Sequence, residues 1–366
     1  MNISSINPNP NNLQIIESAG SKIESADTKQ PLIQEQIVIS DTSDIKFQPK
    51  NKKSQKLSPQ PEVSQKSEVE PTPELVVMRE KGLETLVSMI YDAKESIDLH
   101  MYIITANSRG LMETLKDALD RGVKVRLMVE DDPFYWKQNK ENPSEKAIKE
   151  LVKAGAEYKP DNPIFSKSRV THEKSIIFDG KKGLILTGNL GASTFNKNLD
   201  LGAIVVESPK TVDQMKTIFE ADWNRTPMPD LGETNLVLSP ENAREKLTGL
   251  IGGAKQSIQV LQQGFSDKGI ISLLADKTQE GVSTEITLTD PGVAQGNMQS
   301  GAYLALKGAD VKFMVTPYIH AKAVGVDKGT ETSKTYVGSQ NFSQAAIDKN
   351  RELGYIFQDK NEQLDA

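Results

Sequence analysis

Two short stretches of the chain carry the same reactive side chains at the same spacing. Each has a histidine, a lysine two positions later and an aspartate five positions after the lysine. These residues are His172, Lys174 and Asp179 in VTHEKSIIFD, and His320, Lys322 and Asp327 in YIHAKAVGVD. Because alternate residues of a strand point to the same face, the histidine and lysine of each stretch are predicted to face one pocket.

An asparagine and a carboxylate follow each stretch at matching distances. Asn189 lies in LTGNLGAST and Asn341 in VGSQNFS, and a carboxylate, Asp200 or Glu352, comes eleven positions after each asparagine. A lone His-x-Lys pair is usually no more than the polar face of a strand. Two copies with matched partners, in a chain of three histidines, indicate a shared chemical task.

This set of side chains suits the transfer of a phosphodiester group. Two lysines and two asparagines can surround a phosphate with positive charge and hydrogen-bond donors. One histidine can attack phosphorus while the other, protonated, gives its proton to the leaving oxygen, and a carboxylate behind each imidazole would fix its tautomer. The lysines would neutralise the phosphate charge, so no metal and no cofactor is expected. The lack of cysteine also disfavours zinc.

The doubled motif resembles a known family. HxKxxxxD followed by GSxN, present twice, is similar to the phospholipase D superfamily of phosphodiesterases and phosphatidyltransferases over residues 76–358. The resemblance implies one active site at the interface of two halves, with His172 as the nucleophile and His320 as the general acid and base. The first half departs from the pattern because LTGN stands where GSxN is expected, although Thr187 retains a hydroxyl in the serine position.

The resemblance assigns roles to the other motif residues. The further active-site residues that it implies are Lys174, Lys322, Asn189, Asn341, Asp200 and Glu352. Thr187 and Ser339 are expected to bind substrate, and the two carboxylates are expected to lie behind the histidines. Asp179 and Asp327 belong to the motif, but a structural role at the end of a strand is expected for them.

The expected reaction is hydrolysis or phosphatidyl transfer on glycerophospholipids through a phosphohistidine intermediate. The alternative is an endonuclease of the same superfamily that cleaves DNA or RNA. A net charge of −6 favours the lipid substrate, since nucleic-acid binders usually carry an excess of basic residues. A third interpretation, compatible with catalysis, is an exported effector whose N-terminal tail recruits a partner.

The elements that position these residues are also repeated. AKESIDLHMYII (residues 93–104) has a counterpart in AKQSIQVLQQGF (residues 254–265), and RGVKVRLMVED (residues 121–131) has one in EGVSTEITLTD (residues 280–290). Alternating strand and helix patterns predict an α/β fold with an internal duplication. The resemblance implies that the two tandem phospholipase D-like halves pack as a pseudo-dimer around one active site. The predicted halves are residues 76–228 and 229–366. His100 and Trp223 are expected in the core.

Residues 1–75 differ from the rest of the chain. They contain eight of the 18 prolines, one of the 25 glycines and a single aromatic residue, so they are predicted to be a disordered tail. Residues 32–40 could pair as a strand or bind a partner. The uncharged, Ser/Asn-rich first sixteen residues resemble type III secretion signals, although an ordinary flexible tail is the simpler interpretation.

Membrane contact is expected to be peripheral. The sequence shows no apolar run of about 20 residues and no secretory signal, so the expected location is cytoplasmic or peripheral to a membrane, with non-Sec export as an alternative. The aromatic cluster at residues 133–136 could contact lipid or pack under a neighbouring helix.

Overall fold

A computed structural model describes most of the chain after the predicted tail. The described residues are 3–5, 73–133, 142–161, 170–206, 208–359 and 364. The predictions for residues 32–40, for the first sixteen residues apart from 3–5, and for residues 134–136 therefore lie outside the described part. Among the described residues, no helix combines the length and apolar character that crossing a bilayer requires.

The described residues form seventeen strands and nine α-helices. The strands are β1 (Ile3–Ser5), β2 (Glu74–Val77), β3 (Ser96–Met101), β4 (Lys124–Glu130), β5 (Glu157–Asp161), β6 (Lys174–Phe178), β7 (Lys182–Leu186), β8 (Asn198–Leu199), β9 (Leu201–Val206), β10 (Leu236–Ser239), β11 (Ser257–Gln262), β12 (Ser283–Thr289), β13 (Asp310–Met314), β14 (Tyr318–Ile319), β15 (Lys322–Val326), β16 (Lys334–Gly338) and β17 (Glu352–Gln358). The helices are α1 (Leu83–Asp92, preceded by a π-helical turn at Met78–Gly82), α2 (Arg109–Asp120), α3 (Glu145–Lys153), α4 (Ala192–Asn196), α5 (Pro209–Asn224), α6 (Ala243–Gly253), α7 (Lys268–Gln279), α8 (Gly296–Leu306) and α9 (Gln344–Asp348).

Two mixed sheets have the same strand order. The first half is a seven-stranded sheet in the order β2-β9-β7-β6-β3-β4-β5, and the second follows the order β10-β17-β16-β15-β11-β12-β13, with β1 added at the edge beside β13. In each half three strands run parallel and the remaining pairs are antiparallel. The correspondence confirms the predicted α/β fold of two tandem halves.

Amphipathic helices connect the parallel strands. Helix α2 buries Leu111, Leu115 and Ala118, whose spacing of three to four residues places them on one face against the sheet. Gly122 follows α2 with a φ of 85°, a left-handed conformation that lets the chain leave the helix and enter β4. Gly281, with a φ of 92°, does the same between α7 and β12.

Three hydrophobic cores hold the molecule together. One lies in each half, and the third is shared, because it joins Ile177, Ile185 and Phe219 of the first half to Leu353 and Tyr355 of the second. His100 and Trp223 are buried, as predicted. The shared core includes residues of the two motif strands, Ile177 of β6 and Ala323 of β15, so the halves pack against each other at these strands.

Parts of the predicted tail belong to the sheets. Glu74 and Leu75 lie in β2, which pairs with β9, and residues 3–5 form β1, which is antiparallel to β13. Strand β1 thus supplies backbone hydrogen bonds to what would otherwise be the open edge of the second sheet.

Candidate active site

Backbone pairing joins the two halves immediately before each histidine. Strand β14 of the second half pairs with β8 of the first, and the backbone N–H of His320 donates to the carbonyl of Leu199 at 3.0 Å. On the other side Thr171 forms a β-bridge with Arg351, and the N–H of His172 donates to the Arg351 carbonyl at 2.8 Å. The main chain around each histidine is therefore held by the opposite half.

Both lysines begin a strand and are fully buried beside their histidines. The Lys174 ammonium donates to the carbonyl of His172 at 2.6 Å, and the Lys322 ammonium donates to the carbonyl of His320 at 2.5 Å. The same ammonium of Lys322 lies 3.4 Å from the carbonyl of Thr187 in the first half. The two strands thus bring both positive charges into one region between the halves.

The carboxylates are exchanged between the halves. His172 Nδ1 lies 2.8 Å from Glu352 Oε2, and His320 Nδ1 lies 2.9 Å from Asp200 Oδ1. Each imidazole is therefore oriented through Nδ1, which leaves Nε2 available for bond formation or proton transfer. Sequence analysis predicted a carboxylate behind each histidine, but not that it would come from the other half.

The motif hydroxyls contact the carboxylates. Thr187 Oγ1 donates to Asp200 Oδ1 at 2.8 Å and accepts the N–H of Leu201 at 2.9 Å. Ser339 is likewise buried, hydrogen-bonds Glu352 and accepts the N–H of Leu353 at 3.1 Å. This placement favours a role in holding the carboxylates over the direct substrate contact expected from the sequence.

Both asparagines lie in turns between a strand and a short helix. Asn189 follows β7 and precedes α4, and Asn341 follows β16 and precedes α9. Asn341 Oδ1 accepts the N–H of Gly264 at 3.1 Å, whereas the buried Asn189 Oδ1 has no hydrogen-bond partner within the described ranges. Asn341 therefore holds the loop that follows β11 through its amide oxygen.

Burial and mutual repulsion weaken proton binding by the basic groups. Burial is the main cause that lowers the pKa of Lys174 to about 7 and that of Lys322 to about 8. The pKa of His172 falls well below its ordinary value because of burial and of the charges of Lys174, Lys322 and His320, and the pKa of His320 is also lowered. A pocket that crowds four basic groups in this way is suited to an anion.

The two carboxylates differ in their ionisation. Burial raises the pKa of Glu352 to about 8, against the opposing charge of Lys174 and the hydrogen bond from Ser339. Burial would also raise the pKa of Asp200, but the His320 and Lys322 charges and the hydrogen bonds from His320 and Thr187 lower it overall. The duplicated site is thus not electrostatically symmetric.

Comparison with known proteins places the chain in a family. The family model described as "Cardiolipin synthase, PLD-like domain" matches residues 86–223 and 247–366, more than half of the chain. The chain belongs to the phospholipase D superfamily. A curated relative, a cardiolipin synthase of Oceanobacillus iheyensis, is 28% identical over 145 residues, which are 38% of this chain and 27% of the relative. The chain therefore spans about a quarter of the length of that relative.

Solved structures share the fold at low sequence identity. A phosphatidylserine synthase of Haemophilus influenzae Rd KW20 aligns with a TM-score of 0.59 and 14% identity, over 80% of this chain and 83% of that one. A polyphosphate kinase of Porphyromonas gingivalis aligns with a TM-score of 0.57 and 16% identity, over 78% of this chain and 47% of that one. These likenesses support the two-half phospholipase D-like architecture.

The motif aspartates lie away from the histidines. Asp179 and Asp327 both have a φ of 54° and follow the far ends of β6 and β15, whose first residues are the lysines. Asp179 accepts the backbone N–H groups of Lys94, Glu95 and Ser96, and Asp327 accepts those of Lys255, Gln256 and Ser257. Each carboxylate therefore ties its motif strand to the turn that precedes the neighbouring antiparallel strand, β3 or β11.

Two tyrosines beside the histidines were not singled out by sequence analysis. The ring of Tyr102 lies 4.7 Å from that of His172 and 5.3 Å from the Lys174 ammonium. The ring of Tyr318 lies 6.2 Å from that of His320, and its hydroxyl accepts from Gln263 at 2.7 Å. Tyr102 follows β3 directly, and the pairing of β3 with β6 places it beside His172 and Lys174.

One group of buried side chains has the types needed to bind a metal. Ligand atoms of His100, Glu173 and Asp222 lie within 4.8 Å of one another. However, Arg351 Nε lies 3.1 Å from Asp222 Oδ2, so a guanidinium already supplies positive charge at this position. The arrangement therefore fits an internal ion-pair network better than a metal site.

Proposed function

We propose that the protein is a phosphodiesterase that acts through a phosphohistidine, hydrolysing glycerophospholipids or transferring their phosphatidyl group. The exchanged histidine–carboxylate pairs, with two buried lysines between them, are the observation that carries this proposal. The lipid substrate is supported by the family model and the curated relative, both described as cardiolipin synthase.

The first step forms a covalent intermediate. His172 Nε2 attacks phosphorus, the bond from phosphorus to the leaving oxygen breaks, and protonated His320 gives its proton to that oxygen. An anionic phosphodiester between Lys174 and Lys322 would offset their charge and raise the pKa of His320, so that it can carry this proton. The choice of His172 as nucleophile follows the family resemblance.

The second step releases the product. Neutral His320 takes a proton from water or an alcohol, whose oxygen attacks phosphorus as the phosphorus–nitrogen bond of His172 breaks. Water gives phosphatidic acid, and an alcohol gives a new phosphatidyl ester. In both steps Glu352 and Asp200 hold the imidazoles through Nδ1, which keeps Nε2 directed at the phosphate.

The test is phospholipid turnover followed by mass spectrometry. Mixed vesicles with ethanol and EDTA would be incubated with wild type, His172→Asn and His320→Asn. Phosphatidic acid or phosphatidylethanol with wild type alone is the expected result. Intact phospholipids, together with cleavage of plasmid or RNA that both substitutions abolish, would instead identify the nuclease alternative.

A second measurement assigns the two histidines. Wild-type protein quenched during turnover should carry a phosphatidyl group on His172, because the attack by Nε2 breaks only the bond from phosphorus to the leaving oxygen. Peptide mapping under alkaline conditions locates the modified residue. A phosphatidyl group on His320, and none on His172, would reverse the assignment.

A further inference from the structure

The surroundings of the two motif histidines differ in a way that the duplication does not require. Lys174 pairs with Met101 in β3, and Lys322 pairs with Gln262 in β11, so the next positions along, His100 and Leu261, are equivalent. The residue before His172, Thr171, pairs with Arg351, and the residue before His320, Ile319, pairs with Leu199, so Arg351 and Leu199 are equivalent. The motif spacing makes Glu173 equivalent to Ala321. Three ionisable residues around His172 therefore have apolar counterparts around His320.

His100 lies at the centre of a fully buried group of carboxylates. Its Nε2 is 3.1 Å from Asp161 Oδ2, and its Nδ1 is 3.5 Å from Glu173 Oε2 and 3.9 Å from Asp222 Oδ2. Both ring nitrogens thus face carboxylates, an environment that favours a proton on each. Burial alone would lower the pKa of His100, but the charges of Glu173, Asp161 and Asp222 and the Asp161 hydrogen bond raise it to about 9.

Arg351 joins this group to the second half. Its guanidinium contacts Asp222 through Nε at 3.1 Å and Nη2 at 3.3 Å, and Nη1 donates to Glu241 at 2.7 Å and to the Ser239 carbonyl at 3.0 Å. The side chain is only 1% exposed. Arg351 is thereby fixed between helix α5 of the first half and the strand β10 region of the second.

The main chain of Arg351 and its neighbour hold His172. The Arg351 carbonyl accepts the N–H of His172 at 2.8 Å, and the N–H of Arg351 donates to Val170 at 2.9 Å. The next residue, Glu352, contacts His172 Nδ1. A displacement of Arg351 would therefore move both the backbone and the ring contact of this histidine.

We propose that Arg351, with His100, Glu173 and Asp222, forms a positioning network dedicated to His172. The network fixes the His172–Glu352 pair across the interface between the two halves. It gives the two histidines of the duplicated site different surroundings. At the equivalent place beside His320, Leu199 packs against the shared hydrophobic core instead. The catalytic consequence rests on the proposed function, whereas the effect on the histidine side chain does not.

A double-mutant cycle tests the catalytic consequence. Arg351→Lys keeps the charge but loses the paired contact with Asp222, and it should lower kcat on the order of 10- to 100-fold with little change in KM, because small misplacements of a reacting group are this costly. Most of this loss should disappear in a Glu352→Gln background and persist in an Asp200→Asn background. Equal losses in both backgrounds, or no loss, would overturn the proposal.

The matched control is another arginine in a paired contact. Arg126 Nε lies 2.6 Å from Asp98, and its Nη2 lies 2.7 Å from Glu220, which is on the same helix as Asp222. Arg126→Lys should lower thermal stability and leave kcat within about twofold. If Arg351→Lys fails to fold, Glu173→Gln disturbs the same network, and the same dependence on Glu352 is expected of it. A loss independent of Glu352 would count against the network.

The three histidines permit a second test without substrate. In protein labelled with ¹⁵N-histidine, His100 should show two protonated ring nitrogens at neutral pH. Arg351→Lys should change the tautomer or titration signals of His172 and leave those of His320 as in wild type. Equal changes at both, or none at either, would refute the positioning role. This outcome does not depend on whether phospholipids are the substrate, so it separates failure of the network from failure of the proposed function.

Discussion

Binding of an anion in the candidate site should take up protons from solution. With pKa values of about 7 for Lys174 and about 8 for Lys322, both depressed mainly by burial, the two ammonium groups are incompletely protonated in the free protein above neutral pH. A bound oxyanion supplies the missing negative charge and should return both lysines toward their ordinary pKa near 10.4.

The size of the uptake follows from these values. At pH 8 a group of pKa 7 is about 9% protonated and a group of pKa 8 about half protonated, so full protonation takes up about 1.4 protons. At pH 6 both lysines are already largely protonated, and their own share of the uptake falls to about 0.1 proton. His172, His320 and Glu352 face the same space, and an anion shifts their pKa values in the same direction, so the lysine contribution is a lower bound at pH 8.

Isothermal titration calorimetry measures this number directly. Sulfate does not titrate between pH 6 and 8, and the dependence of its binding enthalpy on the ionisation enthalpy of the buffer gives the protons taken up. Lys174→Met should remove about 0.9 proton of uptake at pH 8, while Lys94→Met, outside the pocket, should remove none. Sulfate binding without proton uptake at pH 8, or uptake unchanged by Lys174→Met, would refute the reasoning.

Three further outcomes are expected. Glu352→Gln and Asp200→Asn should each lower kcat on the order of 100- to 10,000-fold in the phospholipid assay, because each removes the group that fixes an imidazole tautomer. The circular dichroism spectrum should stay unchanged. Activity within twofold of wild type would contradict the exchanged pairs. Gly188→Ala should cost about 1–3 kcal/mol in urea unfolding and reduce activity, since the added Cβ would lie 2.6 Å from Asp200 Cγ, whereas Gly249→Ala, with nothing within 4 Å, should be tolerated. Asp179→Asn should cost about 1–3 kcal/mol without changing kcat per folded molecule, because it weakens three backbone contacts. The pKa of Asp179 is lowered although burial opposes this, so its contribution should be present above the unfolded pKa and be lost as pH falls through the folded one; a wild-type minus variant difference constant down to pH 2 would argue against this assignment.

The local parts of the site could be predicted from sequence because strand geometry determines them. A histidine and a lysine two positions apart share a face of an extended chain wherever that chain lies. The equal spacing from Asn189 to Asp200 and from Asn341 to Glu352 indicated the duplication, and the repeated strand and helix patterns indicated the fold class. These inferences depend on residues close in sequence.

The partner of each histidine could not be predicted in the same way. Glu352 lies 180 positions after His172, and the equal spacing within the halves is compatible with pairing inside a half or between halves. The choice is made by packing, through the shared core and the two bridges that cross the interface. The network around Arg351 was missed for a related reason, since His100 lies 251 positions before it in the sequence.

Exchange of the carboxylates makes the interface between the two halves part of the candidate catalytic machinery. Each half supplies a histidine and a lysine, together with the carboxylate that orients the histidine of the other half. Separation of the halves would therefore remove both oriented imidazoles at once, rather than leave one half-active centre. Leu353 links the packing of the interface to the position of the carboxylate. Its side chain lies in the shared core, its N–H donates to Ser339, and it directly follows Glu352. A loss of packing at this interface should therefore displace the carboxylates and lower the activity before either sheet unfolds.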